Sequence, residues 1–102
     1  MSTPKLNKKV VCSDGFAMSV QAGETQYCHP RQNGADKYTE VEIGFPNRSE
    51  DLLLEYAEDC DRPTETVYPY VPASVVTLVI VKHGGMVEGE LPAGIPCLRA
   101  RQ

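Results

Sequence analysis

The stretch Val71-Pro72-Ala73-Ser74-Val75-Val76-Thr77-Leu78-Val79-Ile80-Val81-Lys82-His83-Gly84-Gly85 constrains the fold more than any other. It is the densest apolar run in the chain, and it carries its own start and stop signals. Pro72 suits the first turn of a helix, where a backbone N–H is not needed. Lys82 and His83 place positive charge at the C-terminal end, and Gly84 suits a left-handed cap. The seven residues from Val75 to Val81 are β formers by propensity, but β propensity depends on context and the terminal signals agree on a helix. The sequence thus places a buried helix here, with the core beneath it.

The rest of the chain supplies the sheet. Asp14-Gly15 is a hairpin signal, since a two-residue turn needs positive φ at both central positions. Lys8 to Gln21 therefore reads as a β-hairpin with Cys12 opposite Ala17 and Val11 opposite Met18. That pairing puts Val11, Phe16, Met18 and Val20 on one face. Thr25 to His29 reads as a further short strand. Lys37 to Phe45 is the cleanest strand, with Val41, Ile43 and Phe45 alternating against Glu40, Glu42 and Gly44. Pro46 ends it. Asn47 or Ser49 can then cap a helix running to about Ala57, with Glu50 and Asp51 in its first turn and Leu52, Leu53 and Tyr56 as its buried stripe. Thr64 to Tyr70 favours extended structure, and Met86 to Glu88 can add a short strand.

The expected architecture is α+β: a three- to four-stranded antiparallel sheet with two helices packed on one face. A chain of 102 residues holds one core. The boundaries read as a tail over residues 1–7, a single domain over 8–90 and a C-terminal tail over 91–102. No apolar run approaches the length of a membrane span, and Met1-Ser2-Thr3-Pro4-Lys5 has no signal-peptide core behind it. The expected compartment is the cytoplasm.

Few residues suggest chemistry. Cys12, Cys28, His29 and Cys60 could form a zinc or thiol site, and this is the alternative reading. The spacing opposes it: there is no Cys-x2-Cys or His-x3-His pair, and neighbours on a strand point to opposite faces. Cys28 or Cys60 with His83 or His29 would be the elements of a thiol enzyme, but no recognisable nucleophile motif accompanies them. Gly84-Gly85 lacks the spacing of a phosphate loop and follows a helix instead of preceding one. The expectation is a non-enzyme with no cofactor and no metal ligands.

Charge is more informative. The net charge of -4 opposes nonspecific nucleic-acid binding, although Lys5, Lys8 and Lys9 could make a local basic arm. Seven of the 14 acidic side chains fall between Glu50 and Glu65. Such a cluster serves either as a solvated face or as an electrostatic docking surface for a basic partner. Tyr68-Pro69-Tyr70-Val71-Pro72 offers a second contact surface, because tyrosines join a large contact area to a polar tip. In an extended segment Tyr68 and Tyr70 share one face. Glu50, Glu55, Glu58, Asp59, Tyr68 and Tyr70 are therefore the candidate partner-binding residues.

Several segments carry a resemblance. Val11 to Ala22, Tyr38 to Pro46, Tyr56-Ala57-Glu58-Asp59 with Pro63 to Tyr68, and Val71-Pro72 through Gly85 resemble a group of small uncharacterised proteins encoded by tailed phages and enterobacterial prophages. The resemblance covers most of residues 10 to 88. It implies a phage accessory protein expressed in a bacterial cytoplasm. With the lack of catalytic constellations and the acidic segment, it sets the expectation of a protein that binds a host or phage protein, with inhibition as the expected role. It brings no catalytic residue with it.

Overall fold

A computed structural model describes residues 6–101. The fold is α+β, with a five-stranded antiparallel sheet and one α-helix. The strands are β1 (Val10–Cys12), β2 (Ala17–Gln21), β3 (Glu40–Gly44), β4 (Val67–Pro72) and β5 (Met86–Glu88), and the helix is α1 (Ala73–Lys82). Their order across the sheet is β4-β3-β2-β1-β5. β4 and β5 thus occupy opposite edges, and α1 carries the chain from one to the other. Four strand spacings cover roughly 19 Å, while ten helical residues rise roughly 15 Å. The helix and its flanking residues are just long enough for that crossing.

α1 forms where its terminal signals place it. Pro72 ends β4 and stands at the helix N-cap. At the other end Gly85 N–H donates to Ile80 O at 2.9 Å and Gly84 N–H to Val81 O at 3.1 Å. This is a Schellman motif, and it requires the positive φ that Gly84 adopts. Val76, Val79 and Ile80 recur at helical spacing and are fully buried against the sheet. Tertiary burial of that stripe overrides the β propensity of its valines.

The first hairpin forms around Asp14-Gly15, but with a three-residue loop. Gly15 N–H donates to Cys12 O, and Cys12 N–H donates to Phe16 O. Val10 therefore faces Met18 and Val11 faces Ala17. A slip of one position flips a strand's side chains to the other face. Val10 and Cys12 point into the core with Phe16, Met18 and Val20, and Val11 is only half-buried. Gly15 at φ 91 supplies the left-handed residue that such a loop needs.

Three further expectations change. Thr25 to His29 forms no strand; His29 makes an isolated bridge to Glu40. Phe45 is not a core residue, because β3 ends at Gly44 and Phe45 turns away at φ 47, 55 % exposed. No α-helix follows Pro46: a 3-10 turn at Leu54–Tyr56 stands in place of the second helix. Two of its helix-start groups are engaged elsewhere. Asn47 accepts the Ala17 N–H and donates to Gly15 O, both at 2.9 Å. Glu50 accepts the Leu52 N–H at 2.8 Å and turns inward. Side chains so committed leave the backbone to i→i+3 turns. Leu53 is buried there, Tyr56 is half-buried and Leu52 is exposed.

The two ends of the domain are tied down more than tails would be. Asn7 exchanges hydrogen bonds with Gln21; residues 1–5 of the expected tail lie outside the described residues. After β5, Met86 N–H donates to Leu98 O and Ala100 N–H to Met86 O, and Ile95 is buried. This segment covers part of the β5 edge. On the opposite edge Glu58 N–H donates to Val67 O, and Pro69 and Pro72 offer no N–H. These are familiar ways of closing a sheet to further strands.

Candidate functional site

The surface beside β4 gathers the exposed members of the expected binding set. β4 spends two residues, Pro69 and Tyr70, opposite Glu42 alone, since Val71 pairs with Val41 and Tyr68 with Ile43. This β-bulge separates two side chains that regular alternation would place together. Tyr68 points into the core, fully buried, with its hydroxyl donating to Pro63 O. Burial pushes its phenol pKa up. Tyr70 instead takes φ 54 and leaves its ring 43 % exposed. A residue with a Cβ pays for that left-handed backbone, by about 1–2 kcal/mol.

Tyr70 does not stand alone. Its N–H donates to Tyr27 O at 3.1 Å, and the two rings lie 6.0 Å apart at 50°. The Arg31 guanidinium sits 5.4 Å from the Tyr27 ring centre. Tyr27 N–H donates to the Glu42 carboxylate at 3.0 Å. Glu42 alternates with buried Val41 and Ile43, so the tyrosine pair occupies the sheet face opposite α1. Tyr27 and Arg31 escaped the sequence reading; no local pattern links the loop at 27–31 to the distant bulge at Pro69-Tyr70.

Glu55 in the 3-10 turn and Glu58 and Asp59 just beyond it are exposed. The bonds from Glu58 N–H to Val67 O and from Asp59 N–H to Thr66 Oγ1 hold Glu58 and Asp59 against the start of β4. Val67 and Tyr70 are three residues apart, roughly 10 Å of strand. The acids and the tyrosines therefore flank one edge.

Glu50 is a different kind of residue. It is 2 % exposed, so it cannot belong to a docking face. Lys82 Nζ lies 2.9 Å from one of its oxygens, and His83 Nε2 lies 2.6 Å from the other. On the far side of the ring His83 Nδ1 lies 2.6 Å from Asp14, which also holds Arg48 at 3.1 Å. Phe16 stacks on the imidazole with centroids 4.2 Å apart. Burial pushes the Glu50 carboxyl up, but the bonds from Leu52 N–H, Lys82 and His83 outweigh it and hold the pKa below the ordinary value. The Phe16 N–H, helped by His83 and Arg48, likewise holds Asp14 low. The cluster fastens the hairpin turn, the segment after β3 and the end of α1 together.

The cysteines do not converge. Cys12 and Cys28 are buried, and Cys60, Cys97 and His29 are exposed. Burial, and then the charge of Asp14, raise the Cys12 thiol pKa. Cys28 Sγ accepts Gly23 N–H at 3.3 Å and donates back to Gly23 O at 3.2 Å, closing a turn. Among the described residues, no group of three or more His, Cys, Asp or Glu side chains is arranged to hold a metal ion. No helix among them is long and apolar enough to cross a membrane.

The chain matches no family model, no curated protein and no solved structure.

Proposed function

We propose that this chain is a small non-enzymatic accessory protein of phage type that binds and inhibits a host or phage protein in the bacterial cytoplasm. Docking runs through the side chains that flank β4: Tyr27, Tyr70 and Arg31 on one sheet face, with Glu55, Glu58 and Asp59 beside them. The observation that carries this reading is Tyr70, a bulky residue held at φ 54 so that its ring stays exposed next to Tyr27. Non-glycine residues in such backbone regions cluster at binding and active sites. Tyrosine and arginine are also the residues enriched at the centre of protein interfaces. The acids supply complementarity to a basic rim, which speeds encounter and weakens with salt. The resemblance to phage proteins supports a host or phage partner.

The test is capture followed by reconstitution. Tagged full-length chain is used to isolate a partner from bacterial lysate, and binding to the purified partner is then measured by calorimetry. Tyr27→Ala with Tyr70→Ala should weaken binding at least tenfold. Glu55→Lys, Glu58→Lys and Asp59→Lys together should slow association and remove its salt dependence. Adding the chain should lower the partner's activity. Binding that survives both sets of changes would refute this surface, and failure to recover any specific partner would refute the function.

A further inference from the structure

His83 closes α1 at the point where three segments meet. Its Nδ1 faces Asp14 Oδ2 in the β1–β2 turn, and its Nε2 faces Glu50 Oε1 in the segment after β3, each at 2.6 Å. Both carboxyl groups are held in their ionised form by the bonds they accept, so neither can act as a donor. A neutral imidazole has one N–H and one bare lone pair. It can serve one of the two carboxylates, and it then turns a lone pair on the other at the same short distance. Only a ring with both nitrogens protonated serves both.

The neighbouring charges do not relieve that requirement. Arg48 bonds Asp14 through Oδ1, leaving Oδ2 to the ring. Lys82 bonds Glu50 through Oε2, leaving Oε1 to the ring. Cys12, the other titratable group of the hairpin, is kept a neutral thiol by burial. Phe16 stacks on the ring at 12°, and the His83 side chain is only 11 % exposed. Water therefore has little access to the Glu50 bond, while the Asp14 side chain, 44 % exposed, can turn to solvent when its own bond is lost.

We propose that His83 is a proton-operated latch, joining the β1–β2 turn to residues 48–53 and to the end of α1 only while both ring nitrogens carry a proton. Loss of one proton converts one of the two bonds into a repulsive contact and frees either the Asp14 turn or the Glu50 segment. This inference does not depend on the docking surface at β4.

Long-range 15N–1H NMR of the full chain between pH 5.5 and 8.5 reads both ring nitrogens directly. At pH 5.5 both should carry protons. As the ring titrates, the amides of Phe16 and Leu52, which donate to Asp14 and Glu50, should shift with it. In His83→Gln those two amide shifts should disappear, and in His29→Gln they should remain. A singly protonated ring at pH 5.5 would overturn the latch, as would a titration that leaves those two amides unmoved. Persistence of those amide shifts in His83→Gln would do the same. Should that variant fail to fold, the titration of the unaltered chain decides.

Discussion

Replacing Tyr70 with glycine should leave the protein more stable than replacing it with alanine, the reverse of the ordinary order within a strand. Both substitutions remove the same half-exposed ring and its contact with Tyr27. Both keep the N–H that donates to Tyr27 O. What differs is the cost of standing at φ 54. A Cβ there costs about 1–2 kcal/mol. Glycine escapes that cost but gives up about 0.5–1 kcal/mol to its greater freedom in the unfolded chain. Taking mid-range values, glycine comes out ahead by about 0.75 kcal/mol, or about 3–6 °C in Tm for a domain of this size. The assay is urea unfolding followed by far-ultraviolet circular dichroism, with matching m-values required. Val87 in β5, also exposed, serves as the control. It lies outside the left-handed region, and there alanine should exceed glycine by about 0.5–1 kcal/mol. If Tyr70→Ala matches or exceeds Tyr70→Gly at equal m-value, the backbone at position 70 carries no strain, and the claim that the ring is displayed at a cost fails.

Two further outcomes follow from other parts of the fold. Asp14 and Glu50 have pKa values below their ordinary ones, so the stability they contribute is present above the unfolded carboxylate range, near pH 4, and is lost as pH falls through their folded values. Acid unfolding curves should show this loss below about pH 4, and Glu50→Gln with Asp14→Asn should flatten it. Gly89→Ala should destabilise the protein by about 1–3 kcal/mol more than Gly15→Ala. Both glycines have positive φ, but a Cβ on Gly89 would meet Lys9 O and Val10 Cα at 2.5 Å, whereas Gly15 has open space around it. Denaturant midpoints of the two variants give the comparison.

The parts of the fold legible in the sequence were those governed by local signals with one strong competitor at most. α1 has a proline before it and two glycines after it, and those signals located it despite its valines. β3 between a loop and Pro46 was visible in its alternation. The site of the first hairpin was visible in Asp14-Gly15, but its register was not. A two- and a three-residue loop suit the same dipeptide, and the choice moved Val10 and Cys12 into the core in place of Val11. The missing second helix has the same kind of cause. Asn47 and Glu50 are good helix-start residues, but partners distant in sequence, Ala17 in one case and His83 in the other, claimed their side chains. The candidate surface was half legible. Tyr70, Glu55, Glu58 and Asp59 are exposed as expected, while the bulge at Pro69-Tyr70 sent Tyr68 inward and the Lys82–His83 pair buried Glu50. Tyr27 is joined to Tyr70 by a long-range hydrogen bond that no local pattern encodes, and Arg31 lies over its ring.

The closure of both margins of the sheet bears on how copies of this protein behave when crowded. At one margin Val67 O is already taken by Glu58, and two prolines withhold donors. At the other, Met86 spends its outward groups on residues 98–100, and β5 ends in a charged Glu88. At those positions a second molecule extends the ladder only once one of the covers is peeled away. Fibre growth at high expression would therefore be gated by local unfolding at 98–100 or around Glu58, and deleting residues 98–101 should be the shortest route to a protein that aggregates.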